Sequence, residues 1–204
     1  MGGVTRSWEM NVVDIMDKRF FDKSKPWTYF FGGKGNNTYT RIYDGKTVTG
    51  PGIDCSNLVH QTMLQAGYNV DYAATADMRK ILNGASSYDY AKVDDYRNIR
   101  SGDVLVFNHH AGVVRQYDPV TGIGVYSGSQ NKDIGLQQYV AFTTNPNTSQ
   151  RSLKVNIDGG IKELTIGFGR SRNPLFGVLR VKEDVYDPGE AKEELDTINR
   201  NIDA

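Results

Sequence analysis

The chain has 204 residues, and its 24 Lys and Arg balance its 24 Asp and Glu, so the formal net charge is zero. This balance argues against a nucleic-acid-binding protein that depends on a strong overall positive field. Hydrophobic residues make up 38% and aromatic residues 11% of the chain, which is enough to bury a core and excludes a disordered or collagen-like protein. One globular domain is expected.

Cysteine and histidine are scarce, which limits the covalent and metal chemistry open to the chain. The one cysteine excludes an intramolecular disulfide, and together with three histidines it is too little for a structural zinc site of the usual spacing. We therefore expect no bound metal and no cofactor. These four residues are Cys55, His60, His109 and His110.

The amino-terminal sequence matches no targeting signal. Residues 1–16 contain no apolar run of signal-peptide length, and Arg6 occupies the position at which a myristoylation motif has Ser or Thr. No segment reaches about 18 uninterrupted apolar residues, the length that spans a bilayer as a helix. We therefore expect a protein that is made in the cytoplasm, without a signal peptide and without a membrane span.

Helical periodicity marks two segments of the first half of the chain. Residues 8–21 place apolar side chains at helical spacing, so they predict an amphipathic helix. Residues 55–66 predict a short second helix that begins at the only cysteine and is stopped by Gly67. Between them, residues 32–37 are rich in Gly and Asn but lack the Lys-Ser/Thr ending of a nucleotide-binding P-loop, so they predict a loop.

The carboxyl-terminal segment 183–204 is strongly acidic. It contains eight acidic and two basic side chains, a net charge of −6, which leaves +6 on the rest of the chain. Asp187 followed by Pro188 is typical of a helix start, because Asp caps the free amides and Pro fits the first helical position. The segment predicts a solvated helical tail.

The second half of the chain reads as β-structure. Because the helical patterns come first and the strand patterns follow, the sequence predicts an α+β fold with amino-terminal helices packed on a central antiparallel sheet. Turn residues join the second and third strands, and Asp158-Gly159-Gly160 predicts a further hairpin. The predicted strands are residues 103–107, 111–117, 123–127, 152–157, 161–166 and 175–181.

One cysteine and one histidine stand where nucleophilic catalysis needs them. A cysteine at a helix start lies beside unpaired backbone amides and the positive end of the helix dipole, which are expected to lower the pKa of Cys55 and favour the thiolate. His110 opens a predicted strand, and the small residues Ala111 and Gly112 after it are expected to leave room for a substrate. The two side chains meet if the helix packs on the sheet.

Five short motifs in order resemble the NlpC/P60 cysteine peptidases. That family has a tyrosine before Gly-Gly, then Asp-Cys-Ser-Gly and an apolar helix, then Gly-Asp-Leu-Val-Phe, then His-Val-Gly-Ile-Tyr. The similarity covers residues 12–130 and the last strand. The motifs here are TYFFGG (28–33), IDCSNLV (53–59), ATAD (74–77), RSGDVLVF (100–107) and HAGVV (110–114).

The resemblance implies a papain-like NlpC/P60 fold and assigns roles to single residues. By position, Cys55 looks like the nucleophile, His110 like the base, and Tyr29 like the tyrosine beside the nucleophile. Asp54 and Ser56 look like the pair that holds the free amino end of the substrate. These last two residues are equally suited to an ordinary helix start.

The third catalytic residue is expected on the strand after the base, where the family has His, Asn or Gln. If Tyr117 pairs with Ile123 across the turn, His110 faces Gln130, whose amide oxygen can accept the imidazole N–H and fix the tautomer. A loop one residue shorter would place Ser129 there instead. Ser127, Asp118 and a backbone carbonyl remain open alternatives.

Other aromatic and histidine side chains are expected to have structural roles. His109 should point away from the face of His110 if the strand has already begun, and His60 lies off the helix face of Cys55, which favours packing. Trp27, Phe30 and Phe31 are expected in the core.

The chain also departs from the family pattern. Asn57 stands where the family usually has glycine, and we expect one catalytic domain over 1–182 with insertions near 34–52 and 140–173, followed by the tail 183–204. The insertions are expected to reshape the cleft.

The implied function is hydrolysis of peptidoglycan stem peptides, typically between D-glutamate and the diamino acid. A cell-wall substrate without a signal peptide suggests export by a non-Sec route, as for an antibacterial effector toxin acting in a target periplasm, which would have an immunity or inhibitor partner. The alternatives are a papain-like amidase or acyltransferase on another amide or a lipid, and a non-catalytic module that binds wall peptides.

Overall fold

A computed structural model describes residues 12–148, 151–167 and 173–203, and these form the α+β fold with mostly antiparallel sheets that the sequence predicts. Positions 8–11 of the first predicted helix, and Arg6, lie outside the described residues. The helices are α1 (12–20), α2 (Cys55–Gln65), α3 (Thr75–Leu82) and α4 (Pro188–Asp203).

A six-stranded antiparallel sheet forms the centre of the molecule. Its strand order is β4-β11-β5-β6-β7-β8, so the last strand of the chain inserts between the first two strands of this sheet. The predicted strands at 103–107, 111–117, 123–127 and 175–181 are all present here. The strands are β4 (Tyr90–Lys92), β5 (Val104–Phe107), β6 (Ala111–Asp118), β7 (Ile123–Asn131), β8 (Gly135–Thr143) and β11 (Leu175–Val181).

Both faces of this sheet are covered, as the burial of β5 shows. Its four residues VLVF are all buried, because alternate side chains of a strand point to opposite faces. Val104 and Val106 join the core formed with α1, α2 and α3, whereas Leu105 and Phe107 join a second core on the other face.

Helix α2 is the central helix and ends where the sequence predicts. Every residue from Ser56 to Leu64 is buried. Gly67 has φ +97°, and the amides of Gly67 and Tyr68 bond back to the carbonyls of Leu64 and Met63. This left-handed termination favours glycine because other residues meet a steric penalty there.

The chain between α1 and α2 forms a three-stranded sheet, which contradicts two expectations from the sequence. Residues 34–37 are not a loop, since they begin a strand, and strands therefore do not all follow the helices. Asp44 and Gly45 have φ of 51° and 73°, which is the backbone of a tight hairpin turn. The strands are β1 (Thr28–Tyr29), β2 (Lys34–Tyr43) and β3 (Lys46–Ile53), with β1 parallel and β2 antiparallel to β3.

The predicted hairpin around Asp158 is present as β9 (Ser152–Ile157) and β10 (Gly160–Thr165). Alternate β9 residues Leu153, Val155 and Ile157 are buried with β7 and β8 side chains, and the polar positions between them are exposed. The hairpin therefore packs as an extra layer on one edge of the central sheet.

The acidic segment forms α4 from Pro188, with the Asp187 carboxylate accepting the Glu190 amide at 3.1 Å, as the sequence predicts. The helix is not solvated all round, because Ala191 and Leu195 pack against Leu64 of α2. Among the described residues, no helix combines the length and the apolar character needed to cross a membrane.

Candidate active site

Cys55 is the first residue of α2, and two strands fix the segment before it. Ile53, at the end of β3, is fully buried, and its carbonyl accepts the Ser129 hydroxyl at 2.7 Å. The Asp54 amide donates to the Gly33 carbonyl, and the Asp54 carboxylate accepts the Asn57 amide at 2.9 Å. The chain therefore turns sharply from strand to helix at Cys55, a residue of intermediate exposure.

His110 and Gln130 are in direct contact. The His110 Nε2 lies 2.6 Å from the Gln130 Oε1, and both side chains are buried. The Tyr126 hydroxyl lies 3.1 Å from the Gln130 Nε2 and 3.3 Å from its Oε1. An amide oxygen accepts but does not donate, so this contact requires a proton on Nε2 and fixes the imidazole tautomer.

The strand register that produces this contact differs from the predicted one near the turn. Asp118, not Tyr117, pairs with Ile123, which shifts the pairing by one residue. A bulge at Arg115 then restores the predicted offset, so that Val113 pairs with Ser127. A bulge inserts one extra residue into one strand, and here the extra residue brings Gln130 back opposite His110.

The other candidates for the third position have different partners. Ser129 donates to the Ile53 carbonyl, and Ser127 donates to the Gln138 carbonyl at 2.6 Å. Asp118 accepts the Val120 amide in the hairpin turn. Each therefore has a structural contact of its own.

The Cys55 sulfur lies beside Ala111, the residue that follows His110 and begins β6. Backbone N–H groups of Ala111 and Ser56 hydrogen-bond to the sulfur, and the Thr75 Oγ1 lies 3.9 Å from it. These bonds lower the pKa of the Cys55 thiol, but burial raises it more, and the net direction is upward. The expectation of a lowered pKa is thus wrong in direction, because desolvation outweighs the helix-start amides.

Burial has the corresponding effect on His110. It lowers the pKa of the imidazole to about 4, and the Gln130 hydrogen bond opposes this only in part. At neutral pH the site therefore combines a protonated thiol with a neutral imidazole, which can act as a general base.

The room that Gly112 provides is not for substrate. A Cβ built on Gly112 would lie 2.4 Å from the Tyr126 ring, which occupies the space. Gly112 therefore lets the Tyr126 ring pack closely against β6.

Asp54, Tyr29 and Tyr72 lie close enough to Cys55 to interact with it electrostatically. The Ser56 hydroxyl lies 2.8 Å from the Tyr72 hydroxyl and 3.3 Å from the Asp54 Oδ1. Burial raises the pKa of both tyrosines, and the charges of Cys55 and Asp54 add to it. Asp54 and Ser56 thus do serve as helix-start residues, and they also lie at the site.

Asp54 uses only one carboxylate oxygen for these bonds. Its Oδ1 accepts from the Ser56 hydroxyl, from the Asn57 amide and, at 2.8 Å, from the Asn57 side chain. No described residue hydrogen-bonds Oδ2. One oxygen is therefore available to a ligand.

The remaining histidines lie away from the sulfur. His60 is buried, with its Nε2 3.1 Å from the Val70 carbonyl, and it packs edge-on against Tyr72. His109 is exposed while His110 is buried. Because β6 begins only at Ala111, the strand alternation that was expected to separate the two side chains does not extend to them. Its amide donates to the Asn173 side chain at 2.8 Å.

The aromatic segment before Gly-Gly is only partly in the core. Trp27 packs edge-on against Phe20, as expected. Phe31 is 85% exposed and Phe30, which stacks on Tyr39, is 36% exposed, so the core expectation is wrong for these two.

Three residues at the site were not singled out from the sequence. Thr75 and Tyr72 come from the segment around ATAD, a motif whose place in the resemblance was the only signal for them. Tyr126 reaches Gln130 four residues along the same strand, and an alternating apolar strand gives no sign of that contact.

The site thus places the Cys55 thiol against the residue after His110, while Gln130 orients the His110 imidazole. A thiol, an imidazole and a group that orients the imidazole are the components of nucleophilic catalysis by cysteine. Within the described ranges, no three His, Cys, Asp or Glu side chains are grouped so as to hold a metal ion. Comparisons of the chain with protein-family models, curated proteins and solved structures found no match.

Proposed function

We propose that the chain is a papain-like cysteine hydrolase of the NlpC/P60 type that cleaves amide bonds in peptidoglycan stem peptides. The observation that carries the proposal is the buried contact of 2.6 Å between His110 and Gln130, next to the residue whose backbone binds the Cys55 sulfur. An isolated structural cysteine needs neither an oriented imidazole nor a partner for it.

The proposed reaction begins with a neutral pair. As the Cys55 sulfur attacks the amide carbon, its proton passes to His110, and the Cys55 backbone N–H at the start of α2 stabilises the developing oxyanion. Because the His110 Nε2 is hydrogen-bonded to Gln130, we assign the proton exchange with Cys55 to the His110 Nδ1. His110 then protonates the leaving nitrogen, the C–N bond breaks, and a thioester remains on Cys55.

Water completes the cycle. His110 takes a proton from water, the hydroxide attacks the thioester carbon, and the C–S bond breaks with return of the proton to sulfur. The products are a carboxylic acid and an amine, and Cys55 is regenerated. Gln130 stabilises the imidazolium in both halves, because its oxygen accepts a stronger hydrogen bond from a cation.

The substrate assignment is supported by the charge beside the sulfur. The negative charge of Asp54 raises the pKa of Cys55, Tyr29 and Tyr72. Its Oδ2 accepts no hydrogen bond from a described residue. A protonated amine would be bound there by Oδ2 and by hydroxyl oxygens. The free amino end of a stem peptide provides that group.

Digestion of purified peptidoglycan tests the proposal. We expect stem-peptide fragments, identified by mass spectrometry, from the wild-type chain and none from folded Cys55→Ala or His110→Ala. Fragment masses would name the bond. Fragments that persist in Cys55→Ala would contradict a cysteine mechanism, and no fragments from any variant would favour an acyltransferase or a binding module.

A further inference from the structure

A groove lies at the carboxyl-terminal end of α2, the end opposite to Cys55. It has a volume of about 660 Å³ and is lined by α1, the segment 25–27, β3 and the carboxyl-terminal ends of α2 and α4. Gln65, which lines the groove, is ten residues after Cys55, a rise of about 15 Å along the helix.

Three cationic side chains line this groove. Lys18 and Lys25 are exposed, and Arg19 is half-buried between them. Of the described residues that line the groove, none is Asp or Glu. The groove therefore carries a local charge of +3 on a chain whose net charge is zero.

Arg19 is held by neutral groups only. Its Nη2 donates to the Gln61 Oε1 at 2.7 Å and to the Asn199 Oδ1 at 3.1 Å, and its guanidinium lies 5.3 Å from the Trp27 ring. Burial lowers the pKa of Arg19 to about 10, with no acidic group opposing it. A half-buried guanidinium is usually paired with a carboxylate, which this one lacks among the described residues.

The guanidinium also has hydrogen-bonding capacity left over. Its Nε is buried without a partner among the described residues. Its Nη1 has no hydrogen bond to a described residue and is not enclosed, so it can donate into the groove. Gln61 is itself fixed, because its amide donates to the Lys34 carbonyl at 2.7 Å.

We propose that this groove binds an anionic group with carboxylate or phosphate oxygens, held by Arg19 beside Trp27, with the exposed Lys18 and Lys25 as further cationic groups of its lining. Such a ligand supplies the negative charge that the site lacks, and a guanidinium matches its planar or tetrahedral oxygens. The inference does not depend on the cysteine chemistry at the other end of α2.

Titration followed by amide and indole NMR signals tests this site. The probes are inorganic phosphate and glutarate, added separately to the folded chain at constant ionic strength. The Trp27 indole N–H donates to the Arg19 carbonyl at 2.8 Å and is the local reporter. The variants are Arg19→Gln and the double variant Lys18→Gln/Lys25→Gln, with Lys23→Gln as the matched surface control.

We expect saturable shifts at Trp27 with one or both probes. The dissociation constant should rise about tenfold or more in the groove variants and stay unchanged in Lys23→Gln. The tighter probe then distinguishes a phosphate from a carboxylate ligand. If neither probe gives saturable shifts, or if the double lysine variant binds as well as the wild type, the proposal is wrong.

Discussion

The Gln130 side chain is the sharpest point at which to test the proposed chemistry. Replacing it in Gln130→Ala removes the acceptor 2.6 Å from the His110 Nε2 in a buried setting. When the imidazole is protonated during the reaction, this hydrogen bond becomes charge-assisted, and such bonds contribute about 1.5–3 kcal/mol. The expected loss of kcat/KM is therefore about 10- to 150-fold.

The assay is the initial rate of stem-peptide fragment release, measured with folded protein as judged by circular dichroism. Gln137→Ala is the matched control, because that amide lies on the neighbouring strand and its bond to the Ile134 carbonyl is exposed. Tyr126→Phe keeps the acceptor but removes the hydroxyl that orients it, and should cost about 2- to 10-fold. A folded Gln130→Ala variant within twofold of wild type would refute the reasoning.

Three further outcomes follow from burial and charge. The pKa of His110 is lowered from 6.5 to about 4, so between these pH values the unfolded chain binds a proton that the folded chain does not. The free energy of unfolding should therefore fall, as the pH is lowered from 6.5 to 4, by up to about 1.4 kcal/mol per pH unit. Urea unfolding at several pH values should show this slope, and it should be weaker in His110→Gln. Because burial raises the pKa of Cys55, iodoacetamide should label it slowly at neutral pH and faster only above the usual thiol range; rapid labelling at pH 7 would contradict the neutral pair. Arg180 binds the buried Asp103 carboxylate through two hydrogen bonds of 2.8 Å, and Arg180→Met leaves this carboxylate without its ion-pair partner. The free energy of unfolding measured in urea should then fall by about 3–5 kcal/mol. A loss under about 1 kcal/mol would contradict this prediction.

Strands with a clear apolar run or alternation were predicted, whereas β1, β2, β3, β4 and β8 were not. The β5 run VLVF and the β9 alternation of buried and exposed residues are patterns that a sheet requires. In β2, exposed polar residues dominate, so the segment 34–43 carries no strand period. Its Asp44-Gly45 pair was the one available turn signal, and pairing with β3 rather than burial determines the strand.

The contact between His110 and Gln130 was predictable only because two departures cancel. The turn shifts the β6–β7 register by one residue, and the bulge at Arg115 shifts it back. A bulge depends on packing across the sheet and leaves no local mark in the sequence. Without it, the same turn would have put a different residue beside the imidazole.

The electrostatics of Cys55 could not be read from its place in the chain. A helix start predicts a lowered pKa, and the Ser56 amide does act in that direction. Burial has the opposite and larger effect on the pKa of the thiol, and it depends on how the chain packs around the sulfur, including Ala111 of β6 and Thr75 of α3. Likewise, the vacancy at Gly112 is filled by Tyr126, a residue 14 positions away.

The most direct test of the central claim is intact-protein mass spectrometry of the chain after rapid acid quench with a synthetic stem peptide. A thioester intermediate predicts a mass increase equal to the acyl half of the cleaved peptide, located at Cys55, the only cysteine. The adduct should be absent in Cys55→Ala. Turnover of the peptide with no adduct, or an adduct that persists in Cys55→Ala, would contradict nucleophilic catalysis by this residue.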